Sequence, residues 1–267
     1  MVTLFTDQRA SDTSRAKHKE SIWVYLNRTT RAGYVYTREL LENWFASYQA
    51  DEDKRKHLAR NFRSRKDGEH LSALFELFVF TLFQKLGYGV SIEPILHNGK
   101  RPDFLMRDIH GEQVIVEATG LYPKRNFGTL EQRRKEIYDY INANVKSADY
   151  FLTIEVKDHI DADLSLRELA NALQSWLLDL NYDELYQIVC TNQAVKLNSL
   201  LPVFTWPRQR GYMKFQIRVK RPEARDREDD IIGVIHRGIQ EIKPHEELRR
   251  KVKDKAKHYG ELQLPYI

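Results

Sequence analysis

Residues Lys100-Arg-Pro-Asp-Phe-Leu-Met-Arg-Asp-Ile-His-Gly-Glu-Gln-Val-Ile-Val-Glu-Ala-Thr119 read as two short strands joined by a polar turn. The turn spans Asp108 to Glu112, and Gly111 supplies its flexible point. Asp103 opens the first strand and Glu117 closes the second. An antiparallel hairpin therefore carries both carboxylates to one end of a sheet. In the second strand Gln113, Ile115, Glu117 and Thr119 share one face, and Val114, Val116 and Ala118 share the other. Two carboxylates converging on rigid strands suit a hard divalent cation such as Mg²⁺, which takes oxygen ligands and keeps waters for chemistry.

Outward from the hairpin the pattern alternates helix and strand. Upstream, residues 69 to 86 form an apolar helix that ends at Gly87, and Tyr88 to Glu93 reads as a strand. Downstream, Thr129 to Val145 returns to helix with Ile137, Tyr140, Ile141 and Val145 on one face. Tyr150 to Val156 is rich in β-formers and reads as a central strand. Ser165 to Glu168 is a capping box, opening a helix with Leu166, Leu169, Leu173, Trp176, Leu177 and Leu180 on its apolar side. The order is helix, three strands, helix, strand.

This arrangement resembles the core of the PD-(D/E)xK nuclease superfamily over roughly residues 69 to 156. Pro102-Asp103 matches its Pro-Asp element, Glu117-Ala118-Thr119 stands at its acidic-x-Lys element, and Glu76 matches its upstream acidic helix. The resemblance implies an α/β fold of the restriction-endonuclease-like type, a mixed β-sheet flanked by helices. It implies metal-dependent phosphodiester hydrolysis on DNA, with Asp103 and Glu117 binding Mg²⁺ or Mn²⁺ and Glu76 as a third contact. Thr119 occupies the place of the family's catalytic lysine and offers neither charge nor reach. Lys100, Lys124 or Lys135 is then expected to extend into the site from another element, or hydrolysis is slow or absent.

Glu76 has Ser72, Ala73, Val79 and Phe80 as its helical neighbours. A carboxylate there needs a partner (a metal, a cation or a proton) unless it lies at the helix edge. Lys100, Arg101, Arg133 and Lys135 are candidates for phosphate contact, although loop and helix-start charges are commonly just solvated. Lys214, Arg218 and Lys220 alternate with Met213, Phe215, Ile217 and Val219. That gives a strand with one basic face, suited to nucleic acid or to a lysine-guarded edge.

The chain has 267 residues, 42% of them hydrophobic, which is ample for a core. Its 43 basic residues are nearly balanced by 38 acidic ones, so the net charge of +5 permits a polyanionic partner without requiring one. A single cysteine, Cys190, excludes an intrachain disulfide and fits a reducing compartment, and no apolar run is long enough to span a bilayer. A cytoplasmic location without membrane attachment is expected. No P-loop, nucleophile elbow or Cys/His zinc pattern occurs.

Residues 1–68 read as a helical extension, with Thr37 as an N-cap and 51–66 as a charged connector. Residues 69–191 form the nuclease-like core and 192–267 a C-terminal α/β region. In that region His245 to Tyr259 is a helix with Leu248, Val252, Ala256 and Tyr259 as its buried stripe, stopped by Gly260. The run Leu264 to Ile267 begins like a strand, so a C-terminally shortened chain is expected. Two further functions fit the same residues: an inactive nucleic-acid-binding module of this fold, and a regulatory ligand- or protein-binding domain.

Overall fold

A computed structural model describes residues 2–6, 12–120, 129–157, 164–191, 199–207, 212–225, 227, 229–236, 244–259 and 264–266. Packing divides the chain into two units. One comprises Met1–Ala16, Glu20–Pro123 and Lys243–Ile267, the other Lys17–Lys19 and Lys124–Ile242.

The first unit opens with four helices: α1 (Ile22–Arg28), α2 (Ala32–Ser47), α3 (Glu52–Phe62) and α4 (Asp67–Lys85). The segment expected to be a charged connector is thus mostly helix. Asp51 caps α3 by accepting from the Lys54 N–H, and the helix buries Leu58, Ala59 and Phe62, while Arg55 donates to the Phe45 and Tyr48 carbonyls. Thr37 is not a cap either. It lies inside α2 and its hydroxyl donates back to the Gly33 carbonyl at 2.9 Å. Phe45, Tyr48, Leu58 and Phe62 join Leu77 and Phe80 of α4 and Phe104 and Met106 of the hairpin in one core. Each such side chain contributes about 1.5–3 kcal/mol on burial, so residues before 68 help hold the hairpin in place.

Strands β1 (Gly89–Ile92), β2 (Phe104–Arg107) and β3 (Gln113–Val116) form an antiparallel sheet in that order. Gly87, at φ +89°, ends the approach from α4. The outer edge of β3 is met by the chain's last described residues: the Ile115 N–H donates to the Pro265 carbonyl at 2.8 Å, and Tyr266 bridges Ile115 in parallel. Helix α8 (Pro244–Tyr259) belongs to this unit.

The second unit contains α5 (Thr129–Asn144), β4 (Tyr150–Lys157), α6 (Leu166–Leu178), α7 (Tyr182–Thr191), β5 (Val203–Pro207), β6 (Tyr212–Val219) and β7 (Ile232–His236). Its mixed sheet runs β5-β6-β4-β7, with β4 antiparallel to β6 and parallel to β7. The Ser165 cap holds, its hydroxyl accepting from the Glu168 N–H. The expected element order appears, but β4 does not extend the hairpin's sheet. Leu152, Thr153 and Ile154 are all buried, so β4 is covered on both faces, and both its edges are paired by strands from the last third of the chain. The molecule is therefore mixed α/β with two sheets. Among the described residues no helix is long and apolar enough to cross a membrane.

Candidate metal centre

The hairpin register places Phe104 opposite Val116, so the next residues outward are Asp103 and Glu117. Asp108 fixes the turn by accepting from the N–H groups of His110 and Glu112 at 2.8 Å each, and Gly111 takes φ +87°. At the open end, Asp103 Oδ2 accepts from the Ala118 N–H at 2.8 Å, and the Asp103 carbonyl accepts from the Glu93 N–H at 2.9 Å. Asp103 and Glu117 lie close enough for each to shift the other's protonation.

That closeness has an electrostatic consequence. Burial, then the hydrogen bond and charge of Glu117, push the Asp103 carboxyl up to about 7. Burial acts upward on Glu117 too, but hydrogen bonds from Lys255 and Tyr259 outweigh it and hold this carboxyl low. One member of the pair thus stays ionised while the other is poised to share a proton.

Glu76 approaches the same region from α4. Its partner is the buried Tyr48 hydroxyl, which donates to Oε1 at 2.8 Å. Burial pushes the Glu76 carboxyl up, the Tyr48 hydrogen bond opposes this, and the charges of Glu93 and Glu117 add to the upward push. Glu93 is a fourth carboxylate that the sequence pattern did not single out. It sits just after β1 at φ +44°, a costly backbone position for a non-glycine residue. Its N–H is fixed on Asp103, and Lys54 Nζ donates to the neighbouring Ile92 carbonyl at 2.9 Å.

The cation at this site comes from an unexpected element. Lys255 Nζ of α8 lies 2.5 Å from Glu117 Oε2, and the Tyr259 hydroxyl donates to Glu117 Oε1. Lys255 is not one of the lysines proposed to stand in for Thr119. Lys100 lies in the loop before β2, where its N–H donates to Asn98 Oδ1, and Arg101 is exposed, its carbonyl accepting from the Tyr259 hydroxyl at 3.3 Å. Lys124 lies outside the described residues. Lys135 and Arg133 are on α5 of the second unit, where Arg133 pairs with Glu136 at 2.8 Å.

The buried stripe expected on α8 is also corrected. Leu248 and Val252 are 45% and 51% exposed, whereas Tyr259 is buried. Lys251, Lys255 and Tyr259, at steps of four, form the docked face. Lys251 Nζ donates to the Gly120 carbonyl at 2.6 Å. Apolar periodicity holds at Tyr259 and fails at Leu248 and Val252, where polar bonds to a backbone carbonyl and a carboxylate seat the helix instead; the Ala256 side chain lies outside the described residues.

In the second unit Lys214, Arg218 and Lys220 do not form a common exposed face. Lys220 is buried, its ammonium donating to the Ser147 carbonyl at 2.9 Å and lying over the Phe151 ring. Arg218 Nε donates to Thr153 Oγ1 at 3.1 Å, and Lys214 is opposite Glu155 in the register. Strand β6 is central rather than an edge.

No family model, curated protein or solved structure matches the chain. Among the described residues no group of three or more His, Cys, Asp or Glu side chains is arranged to hold a metal ion. A pair of carboxylates nevertheless fits Mg²⁺ or Mn²⁺, which are commonly held by one or two carboxylates with water and substrate oxygens completing the shell. Burial is the main cause of the upward push on Asp103 and Glu117 the second, and a cation bound at the pair would oppose both.

Proposed function

We propose that this protein is a divalent-metal-dependent phosphodiesterase acting on DNA, with a divergent site of the restriction-endonuclease-like type. The observation that carries the reading is the Asp103–Glu117 pair, held together at the end of a rigid hairpin with an ammonium group 2.5 Å from Glu117. Asp103 and Glu117 would hold Mg²⁺ or Mn²⁺, which supplies a more acidic bound water and charge stabilisation at the phosphate. The Ala118 N–H keeps Asp103 aimed at the site, and the packing of Phe104 and Met106 keeps the hairpin from shifting. Lys255 takes the part of the lysine absent at Thr119. Its ammonium offsets negative charge as water adds to phosphorus and the phosphorus–oxygen ester bond breaks. Glu76, held by the Tyr48 hydroxyl and pushed up by burial, offers a further carboxyl oxygen from α4.

The test is cleavage of linear and circular DNA, with single-stranded DNA and RNA as comparison substrates, in Mg²⁺, Mn²⁺ or EDTA. Metal-dependent DNA cleavage that is lost in Glu117→Ala and Lys255→Ala supports the reading. Cleavage that persists in EDTA, or in Glu117→Ala, overturns it.

A further inference from the structure

Helix α8 serves the site twice, and its two contacts with Glu117 have different chemistry. Lys255 brings a charge to Oε2, whereas Tyr259 brings a neutral hydroxyl to Oε1. Together they engage both oxygens of a carboxylate whose side chain is only 3% exposed. One Asp103 oxygen is committed as well, Oδ2 accepting from the Ala118 N–H. A cation reaching this pair therefore meets oxygens whose approach is already occupied by protein hydrogens.

The attachment of α8 is suited to release. Its docked face makes polar bonds: Lys251 to the Gly120 carbonyl, Lys255 and Tyr259 to Glu117, and Asn98 Nδ2 to the Tyr259 carbonyl at 2.9 Å. Its apolar residues Leu248 and Val252 stand outward, so undocking forfeits little apolar burial from them. The Tyr259 ring is the exception, buried and 5.7 Å from the Tyr266 ring.

We propose that Tyr259 is a latch on the carboxylate pair. Its hydroxyl holds Glu117 Oε1 closed when the metal is absent and is displaced when a divalent cation binds, while Lys255 keeps its hold on Oε2. This rests on the metal-site reading above. Metal binding and the seating of the Tyr259 hydroxyl on Glu117 are then competing equilibria.

The experiment is calorimetric titration of the full chain with Mn²⁺ alone, without nucleic acid, using wild type, Tyr259→Phe, Lys251→Met and Glu117→Ala. Phenylalanine keeps the ring packing and removes only the hydroxyl, so Tyr259→Phe should bind Mn²⁺ about tenfold more tightly, the worth of one hydrogen bond to a charged acceptor. Lys251→Met loosens the same helix without touching the pair, and should also tighten binding, by a smaller factor. Hydrogen exchange should show the last turn of α8 exchanging faster in wild type once Mn²⁺ is added. Equal or weaker binding by both variants overturns the latch. Wild-type binding retained in Glu117→Ala, or no binding by any form, overturns the metal-site reading and the latch with it.

Discussion

Asp103→Asn should stabilise this protein at pH 8 and leave its stability nearly unchanged at pH 4. Asparagine mimics the protonated acid: its oxygen can accept from the Ala118 N–H and its amide can donate to Glu117, but it carries no charge toward that neighbour. In the folded protein burial and Glu117 raise Asp103 from 3.8 to about 7, so the folded state holds a proton that the unfolded chain has released across that window. Stability contributed by this group is fully present below about pH 4 and is lost as pH rises through about 7. The gap is a little over three decades of acidity at about 1.4 kcal/mol each, a ceiling of about 4 kcal/mol for the penalty in wild type. An amide donates to Glu117 less strongly than an acid does, so a net gain of about 2 kcal/mol at pH 8 is expected. Thermal unfolding of both proteins in EDTA at pH 4 and pH 8 measures it, with hydrogen exchange of the β2–β3 amides assigning the change to the first unit. A variant less stable than wild type at pH 8, or a gain of equal size at both pH values, refutes the reasoning.

Lys255→Ala should lower metal-dependent DNA cleavage by about 100-fold or more, and adding Thr119→Lys to it should restore part of the rate. Thr119→Lys alone should bring little, because the ammonium is already supplied; a large gain in an assay of initial rates would count against Lys255. Tyr48→Phe leaves the buried Glu76 without its donor and should cost about 1–3 kcal/mol at neutral pH, read by denaturant unfolding; an unchanged midpoint would mean that Glu76 finds water instead. Phe62→Ala should cost about 3–5 kcal/mol and speed exchange in the hairpin amides, because Phe62 and Phe104 belong to the same core. Loss confined to α3 would show that the N-terminal helices are not part of the site's support.

The sequence alone determined the local frame of the site. Alternation and a polar turn fix the hairpin. Because side chains repeat every two residues in a strand, pairing Phe104 with Val116 brings Asp103 level with Glu117. The apolar runs of α4, α6 and β6 are likewise local signals that burial repeats, and Gly87 and Gly111 mark backbone positions that only positive φ satisfies. Tertiary structure decided everything that depends on a distant partner. The strand β4 carries no label saying which sheet it joins, and it joins the one whose strands cover both its edges. Glu76 needed a partner by its burial, but only packing named Tyr48. The cation at Glu117 lies 138 residues away, on a helix that docks through Lys251, Lys255 and Tyr259 and leaves Leu248 and Val252 exposed. Hydrophobic periodicity reports burial by the hydrophobic effect. A helix seated by ammonium and hydroxyl groups on one carboxylate leaves no such period, so Lys255 and Tyr259 become legible only once the chain has folded.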